Sequence, residues 1–181
     1  MSNTSYGPSF MKVSIVFIIC ILILAGSNQI MNSSSSEYEE VSEETEEMLL
    51  NVFTEEFGFY KADMNGTTIY LARNDDNIEE VAVIATVEGY GGEMEVLIAT
   101  DIDGEVTDIE VLEHSETPDI GDKVEEPDYL DQFSGKTAED SLEVGEDIDG
   151  ISQATVSSEA VAEAVRNGLD NIQEFIESGQ I

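Results

Sequence analysis

The chain has few basic residues, and this shortage excludes several kinds of partner. Its 181 residues include 6 Lys and Arg against 41 Asp and Glu, which gives a formal net charge of −35 at pH 7. Proteins that bind nucleic acid neutralise phosphates with basic side chains, so nucleic-acid binding is excluded. A basic patch for an anionic membrane surface is excluded for the same reason. Because such self-repulsion opposes compaction unless salt screens it, we expect a high-salt environment.

Cysteine and histidine are almost absent as well. Cys20 is the one cysteine and His114 the one histidine, so neither a disulfide within the chain nor a metal site of several cysteines or histidines is expected. The acidic stretch DIDG, Asp101–Gly104, lacks the ligand spacing of a calcium loop, and its Asp-Gly pair predicts a hairpin turn. No nucleophile–base set and no convincing carboxylate pair emerges, so no catalytic residue is expected.

An apolar run near the N-terminus is the candidate for a membrane segment. The run covers Val13–Ala25 and follows Lys12, and residues 11–30 make a marginal span of the about twenty residues that a bilayer crossing requires. We expect a retained transmembrane anchor; the alternative is a signal peptide cleaved near Ala25–Ser27. In both cases the position of Lys12 predicts a cytoplasmic N-terminus and an extracytoplasmic C-terminal domain.

The segments around this run differ in composition. Residues 1–10 are polar and expected to be disordered, and residues 31–38 are expected to form a flexible linker. We assign residues 39–181 to the extracytoplasmic domain. A helix is predicted over Glu39–Phe53 from a sparse apolar stripe. The residues of that stripe are Val41, Met48, Leu49, Val52 and Phe53.

The middle of the chain changes to β-branched, partly alternating segments that are typical of strands. These predicted strands are Thr67–Ala72, Val81–Tyr90, Met94–Asp101 and Val106–Ser115. A loop-rich region over Glu116–Gly150 follows, and then a helix predicted over Ser157–Ser178 with Ser157 or Ser158 as its cap. Its apolar positions are Val161, Val165, Leu169, Ile172 and Ile176. The pattern indicates an α+β fold, in which this helix lies across a small antiparallel sheet.

Uncharged residues with hydroxyl groups lead into this last helix. The stretch DGISQATVSS runs from Asp149 to Ser158, and Thr155 lies two or three residues before the expected cap. The N-terminus of a helix carries unpaired N–H groups and a partial positive charge, so it attracts anions. Ser and Thr are also the ordinary caps of helices, so the spacing alone is explained without a ligand.

Three stretches, in order, resemble the FMN-binding domain of the G subunit of the Rnf complex, an ion-translocating ferredoxin:NAD oxidoreductase. The C subunit of the sodium-translocating quinone reductase shares this domain. The stretches are Gly89–Val124, Phe133–Lys136 and Asp149–Val161. The resemblance implies covalently bound FMN, because in this family the pattern D-x-x-S/T-G-A-T is the place where a flavin transferase joins the FMN phosphate to the final Thr hydroxyl.

By position, the resemblance makes Thr155 the modified residue. The other residues that it places around the cofactor phosphate are Asp149, Ser152, Ala154, Ser157 and Ser158. Gln153 stands where the family motif has Gly. Since Gln adopts a positive φ at a higher cost than Gly, modification is expected to be slowed if the motif requires that conformation, and unaffected if it requires only space.

Two glycine-bearing segments resemble the family's contacts to the flavin ring. ETPDIG, Glu116–Gly121, corresponds to the family's ETPGLG with Asp119 in place of the first Gly, and GYGG is the second segment. The residues expected at the ring are Glu116, Thr117, Gly121 and Gly91. The alternatives are a turn built on Pro118 and a plain glycine turn between strands. His114 is expected to be a solvated edge-strand residue without a role.

The resemblance implies an electron-transfer subunit of an Rnf complex, in which the flavin carries the chemistry and the chain alone is not catalytic. It further implies the other subunits as partners, a flavin transferase for maturation, and a single-pass location in the inner membrane. One alternative is a free-standing exported flavoprotein that serves an extracellular acceptor. Another is a non-redox surface module whose flavin site is dead.

Overall fold

Six antiparallel strands form one sheet in the part of the chain that the computed structural model describes, which is residues 38–53, 58–75 and 77–179. The strands are β1 (Glu39–Glu40), β2 (Gly58–Met64), β3 (Thr67–Asn74), β4 (Asn77–Glu88), β5 (Glu93–Asp101) and β6 (Val106–Glu113). They lie side by side in chain order, β1 to β6. The four predicted strands are therefore confirmed, whereas β1 and β2 were not predicted. The expected disordered N-terminus, the membrane segment over 11–30 and most of the linker lie outside the described residues.

Short turns join the strands and fix their register. Asn65 and Gly66, between β2 and β3, have φ angles of 55° and 89°, the left-handed conformation that a two-residue hairpin turn requires. In the turn after β5, the Asp101 carboxylate accepts the N–H groups of Asp103 at 2.9 Å and Glu105 at 3.0 Å. The hairpin turn predicted for DIDG is thus confirmed.

The first helix is shorter than the sequence predicted. Helix α1 covers Glu43–Leu49 rather than Glu39–Phe53, because Glu39 and Glu40 pair with β2 instead. The Ser42 hydroxyl accepts the Thr45 N–H at 3.3 Å and caps the helix.

Short helical turns and one long helix follow β6. They are a 3₁₀ turn at Gly121–Glu125, α2 (Pro127–Leu130), a 3₁₀ turn at Asp131–Phe133 and α3 (Thr155–Glu177). None of the helices found between residues 38 and 179 is long and apolar enough to span a bilayer.

Helices cover both faces of the sheet, and this explains the composition of its central strands. α3 packs against β4 and β5 on one face, where Val161, Leu169 and Phe175 are buried. On the other face Leu49, Val52 and Phe53 form a second apolar cluster with residues of β2 to β5, and the Phe53 and Phe59 rings stack with centroids 5.5 Å apart. Since both faces are covered, β4 and β5 are nearly continuous apolar runs. The predicted α+β class with an antiparallel sheet is confirmed.

Arg73 joins the β1 edge to the rest of the sheet. Its guanidinium carbon lies 5.2 Å from the centroid of the Tyr38 ring and 5.1 Å from that of Tyr60. We expect Arg73→Ala to lower the free energy of unfolding by about 1–2 kcal/mol, because two cation–π contacts of about 0.5–1 kcal/mol each are lost. Arg73→Lys should lose less, since it keeps the charge. Urea denaturation measures the change.

Lys61→Ala is the control for this prediction. The Lys61 ammonium lies 3.4 Å from the Glu39 carboxylate, and both side chains are exposed. Such a surface pair contributes about 1 kcal/mol at most. A urea midpoint for Arg73→Ala that matches wild type, or a smaller loss than that of Lys61→Ala, would contradict the role given to Arg73.

Candidate functional site

Helix α3 begins earlier than the sequence predicted, and this places Thr155 on the helix itself. Ala154 is the residue that flanks the helix start, so Ser157 and Ser158 were wrongly predicted as caps. Both serines are buried within the first turn and a half. The Ser158 hydroxyl accepts the Ile151 N–H at 3.0 Å and donates to the Ala154 carbonyl at 3.0 Å. The Ser158 hydroxyl therefore joins the helix to the segment just before it rather than capping the helix.

The start of α3 is suited to an anion. Thr155 is the first helical residue and is exposed, no side chain caps the helix, and its first turn contains no Asp or Glu. The first N–H groups of a helix have no partner within the helix, and an anion placed there is stabilised by about 0.3–1 kcal/mol in addition to hydrogen bonds. In so acidic a chain, the absence of Asp and Glu from the first turn itself reduces the repulsion that an anion would meet there.

A cavity of about 400 Å³ opens beside this helix start. Three segments line it. They contribute Tyr90 from the β4–β5 loop, Glu116, Thr117, Ile120 and Gly121 from the segment after β6, and Gln153, Ala154, Thr155, Val156 and Ser157 from the start of α3. The volume lies within the range of about 300–1,000 Å³ that is common for small-molecule pockets.

The cavity brings together most of the residues that the sequence singled out. Those that line it are Ala154, Thr155, Ser157, Glu116, Thr117 and Gly121. Four others lie outside the lining, namely Gly91, Asp149, Ser152 and Ser158. The backbone of Asp149 is fixed by the Gln132 side chain. The Asp149 N–H donates to the Gln132 side-chain oxygen at 2.7 Å, and the Asp149 carbonyl accepts from the Gln132 amide at 3.3 Å. The turn at Pro118 also exists, and it forms part of the cavity wall.

Sequence reasoning missed the apolar side chains at the mouth of the cavity. Tyr90, Ile120 and Val156 line it and are 71%, 41% and 48% exposed. Large apolar side chains that cluster in the open commonly mark a binding surface. These residues lie inside the stretches that carry the family resemblance, but their exposure depends on the fold and is not visible in a single sequence.

Glu116 is a buried carboxylate that links two walls of the cavity. It is 6% exposed, and it accepts the Ser157 hydroxyl at 2.6 Å and the Gly91 N–H at 3.0 Å. A Cβ on Gly121 would lie 2.6 Å from a Glu116 carboxylate oxygen, and a Cβ on Gly89 would overlap the other oxygen. These glycines therefore leave room for the carboxylate of Glu116.

His114 is not the solvated edge residue that the sequence suggested. Its side chain is 17% exposed, and its Nδ1 atom accepts the Glu116 N–H at 3.1 Å. A neutral ring that accepts at Nδ1 carries its proton on Nε2, which lies 3.3 Å from a Glu125 carboxylate oxygen. The ring thus orders the backbone on which Glu116 is carried.

Tyr129 supports the helix start from within the core. Its hydroxyl donates to the Ser158 carbonyl at 2.8 Å. Burial raises the pKa of the Tyr129 phenol well above its ordinary value. The phenol is therefore a neutral donor at any physiological pH, and the first turn of α3 is fixed on its inner side.

Gln153 and Asp119 share an unusual backbone conformation. Their φ angles are 71° and 63°, in the left-handed region, and both stand where the resembled family has Gly. The left-handed conformation costs a residue with a Cβ about 1–2 kcal/mol. The sequence left open whether the motif position requires a positive φ or only space, and in this chain Gln adopts the positive φ.

We expect Gln153→Gly to raise the free energy of unfolding by about 0.5–1 kcal/mol. Relief of about 1–2 kcal/mol of strain exceeds the roughly 0.5–1 kcal/mol by which Gly favours the unfolded chain. Asp119→Gly should gain less, because Asp tolerates this region better than Gln. Urea denaturation measures both. Gln153→Ala keeps the Cβ and is the matched control; a gain in this variant equal to that of Gln153→Gly would show that backbone strain is not the cause.

Comparison with known proteins bears on what the cavity holds. Residues 89–170 match the FMN-binding domain family. The G subunit of an ion-translocating oxidoreductase complex from Salmonella typhimurium is 34% identical over 108 residues, which cover 54% of this chain and 52% of that protein. The G subunit of the proton-translocating ferredoxin:NAD(+) oxidoreductase complex from Clostridium ljungdahlii is 32% identical over 112 residues, covering 59% and 60%. The chain thus spans about half the length of the curated relatives it matches.

A solved structure supports the fold. The crystal structure of NqrC from Shewanella oneidensis superposes with a TM-score of 0.51 at 22% sequence identity, covering 62% of this chain and 61% of that one. At this identity the similarity concerns the fold alone.

Proposed function

We propose that this chain is an electron-transfer subunit of a membrane-bound, ion-translocating ferredoxin:NAD oxidoreductase complex that carries FMN on Thr155, because residues 89–170 match the FMN-binding domain family. One observation carries the proposal: an exposed threonine hydroxyl lies at an uncapped helix start, in the wall of a cavity of ligand size. The two relatives named as G subunits of such complexes support the assignment of the complex.

The residues present fit a flavin phosphate at one end of the cavity and a flat ring at the other. The backbone N–H groups at the start of α3 would donate hydrogen bonds to the phosphate, and the small side chain of Ala154 leaves space beside it. Tyr90, Ile120 and Val156 offer apolar surface that a ring system would cover. When bound, FMN supplies the capacity to accept and pass on one or two electrons, while the chain supplies position and electrostatics.

In the proposed linkage the Thr155 oxygen forms a phosphoester with the FMN phosphate. The bond from this oxygen to phosphorus forms while the phosphoanhydride bond of an activated flavin nucleotide, held by a flavin transferase, breaks. The leaving phosphate takes the electron pair of the broken bond, and the hydroxyl proton is released with it. Thr117 and Gly121 are assigned to the ring side of the cavity. The segment that presents Thr155 is assigned the residues Asp149, Ser152 and Ser158. Gly91 contributes indirectly, through its hydrogen bond to Glu116.

We place the chain in the inner membrane with a single crossing over residues 11–30, and the domain over 39–181 on the extracytoplasmic side. A covalent bond suits that location, because an exported protein cannot readily recapture a lost cofactor. The other subunits of the complex are the proposed partners, and the chain is not expected to be catalytic alone.

The test is co-expression of the full chain with a flavin transferase, followed by intact mass and visible absorbance. We expect a mass increase of one FMN minus one water, located on the peptide that contains Thr155, and a visible flavin band. Affinity purification from the native membrane then distinguishes the assignments. Recovery with other complex subunits supports the proposal, and a flavinylated chain recovered alone favours an exported free-standing carrier. A colourless, unmodified chain from its native membrane rejects both.

A further inference from the structure

We propose that Glu116 is the positioning residue of the cavity, and that its carboxylate fixes the β4–β5 loop relative to the helix start that bears Thr155. In this role Glu116 acts through Gly91 and Ser157 and does not itself contact the reacting atoms. The inference rests on the proposed function, and it replaces the expectation that Glu116 contacts the flavin ring directly.

The two hydrogen bonds of Glu116 connect segments that are distant in the chain. Gly91 lies 25 residues before Glu116, and Ser157 lies 41 residues after it. A bond of 2.6 Å from a hydroxyl to a carboxylate oxygen is in the short range of charge-assisted hydrogen bonds. A buried carboxylate is costly unless its oxygens are hydrogen-bonded, so both contacts are needed for the side chain to remain inside.

The surroundings of Glu116 leave this carboxylate little freedom. Because Gly89 and Gly121 have no Cβ, the oxygens of Glu116 can lie beside them, and any side chain at either position would displace the Glu116 carboxylate. His114 fixes the backbone of Glu116, because the Glu116 N–H donates to the Nδ1 atom of His114. The side chain is thus held at its base and at both oxygens, which is the arrangement expected of a rigid connection between two walls.

This connection has a consequence for the cofactor. Thr155 and Ser157 lie in the same first turn of α3, so a displacement of Ser157 also moves the attachment point. Tyr90 lies next to Gly91, whose N–H donates to the other carboxylate oxygen of Glu116. Without Glu116 the loop on the ring side and the attachment point would move independently. FMN would remain attached, but its ring would lose a fixed orientation.

Three variants of the full chain, each co-expressed with a flavin transferase, separate geometry from charge. Glu116→Ala removes both hydrogen bonds and the charge. Glu116→Gln removes the charge but keeps the bridge, because its amide oxygen can accept from Gly91 and its amide N–H can donate to the Ser157 oxygen. Asp170→Asn removes one charge from an exposed position on the same helix, outside the cavity lining, and is the control.

Two measurements on the modified proteins report different properties. Visible circular dichroism of the flavin reports a fixed ring orientation: we expect Glu116→Ala to lose most of this signal, and Glu116→Gln and Asp170→Asn to keep it. The reduction potential of the flavin reports charge: we expect it to rise in both Glu116 variants relative to Asp170→Asn, because each removes a negative charge beside the cavity. A purely structural role would leave the circular dichroism unchanged in a protein that folds normally, whereas the potential responds to the lost charge in either case.

A third measurement does not depend on FMN. In the unmodified chain, hydrogen exchange at the Gly91 amide should accelerate at least roughly tenfold in Glu116→Ala, since a hydrogen bond to a charged acceptor is lost. If wild type itself takes up no flavin, the proposed function fails, and this measurement still tests the bridge. If wild type is flavinylated but Glu116→Ala retains its circular dichroism and its Gly91 protection, the inference alone is overturned.

Ser157→Ala provides a second route should Glu116→Ala fail to fold. It removes one of the two bonds of Glu116 and leaves the charge in place, so we expect a reduced circular dichroism signal. A wild-type circular dichroism signal in Ser157→Ala would overturn the positioning role, because it would make the bridge dispensable. Complete loss of the signal in Glu116→Gln would also overturn it, because it would assign the effect to charge.

Discussion

Thr155→Ala is expected to abolish covalent attachment of FMN, so that the purified variant is colourless and has the mass of the unmodified chain. Thr155 supplies the hydroxyl at the exposed first position of α3, and the first turn offers no second exposed hydroxyl because Ser157 and Ser158 are buried and hydrogen-bonded. In-gel flavin fluorescence and intact mass measure the loss. Stability should change little, because surface substitutions are usually within about 0.5 kcal/mol.

Two controls make this result specific. Thr155→Ser keeps a hydroxyl at the same position and should retain some modification. Thr86→Ala removes an exposed threonine hydroxyl on β4, away from the cavity, and should be modified like wild type. If Thr155→Ala carried as much flavin as Thr86→Ala, the attachment would have to be at another residue and the assignment of Thr155 would be wrong.

A rise of about 10 °C in melting temperature is expected when NaCl is increased from about 0.05 M to about 2 M, which corresponds to roughly 3 kcal/mol for a domain of this size. The net charge of −35 produces the repulsion, and two of the few cations are already engaged by local partners. Lys136 lies 3.4 Å from Asp147, and Arg166 donates to the carbonyls of Ser141 and Leu142. Salt shortens the screening length from about 10 Å at 0.1 M to about 3 Å at 1 M, and so weakens the repulsion.

A charge-reduced variant identifies the cause of the salt response. Glu47→Gln, Glu163→Gln and Asp170→Asn together remove three exposed charges, so the combined variant should melt higher at low salt and respond less to salt than wild type. NaCl is preferred to sulfate, because sulfate also strengthens the burial of apolar surface. Equal melting temperatures of wild type at low and molar salt would remove the case for a high-salt environment.

The strands could be predicted where many of their residues are β-branched. They could not be predicted where charged residues interrupt the apolar ones without a regular spacing. β4 and β5 carry runs of Val, Ile and Ala, and β3 and β6 carry several Thr, Ile or Val residues, whereas β2 contains Lys61 and Asp63 between its buried positions Phe59, Ala62 and Met64. These positions are spaced by three and then two, so no alternation is apparent. β1 has two residues and is held by pairing and by Arg73, neither of which a local pattern contains.

The last helix shows what local patterns settle and what they leave open. Its four-residue apolar spacing predicted the helix and its buried face correctly. Its cap was predicted three or four residues too late, at Ser157 or Ser158 rather than Ala154, because serine is a common cap and the pattern does not contain the partners that Ser157 and Ser158 use in the fold. Those partners are Glu116 and Ile151.

The cavity was foreseeable in part. The resemblance indicated that the segments around Glu116 and Thr155 belong together, and the structure places both in one lining. It did not indicate that the Glu116 carboxylate points between the walls, that His114 orders the same backbone, or that Gln153 adopts a positive φ. The first depends on contacts between segments that are far apart in sequence, and the other two on backbone conformations that a residue pattern does not specify.

The order of the strands also fixes the distance between the two edges of the sheet. β1 and β6 occupy opposite edges, and the segment after β6 forms one wall of the cavity. Five inter-strand spacings of about 4.8 Å separate these edges, or roughly 24 Å. The wall that follows β6 therefore lies about two nanometres from the β1 edge, so substitutions confined to β1 should not reach the cavity directly.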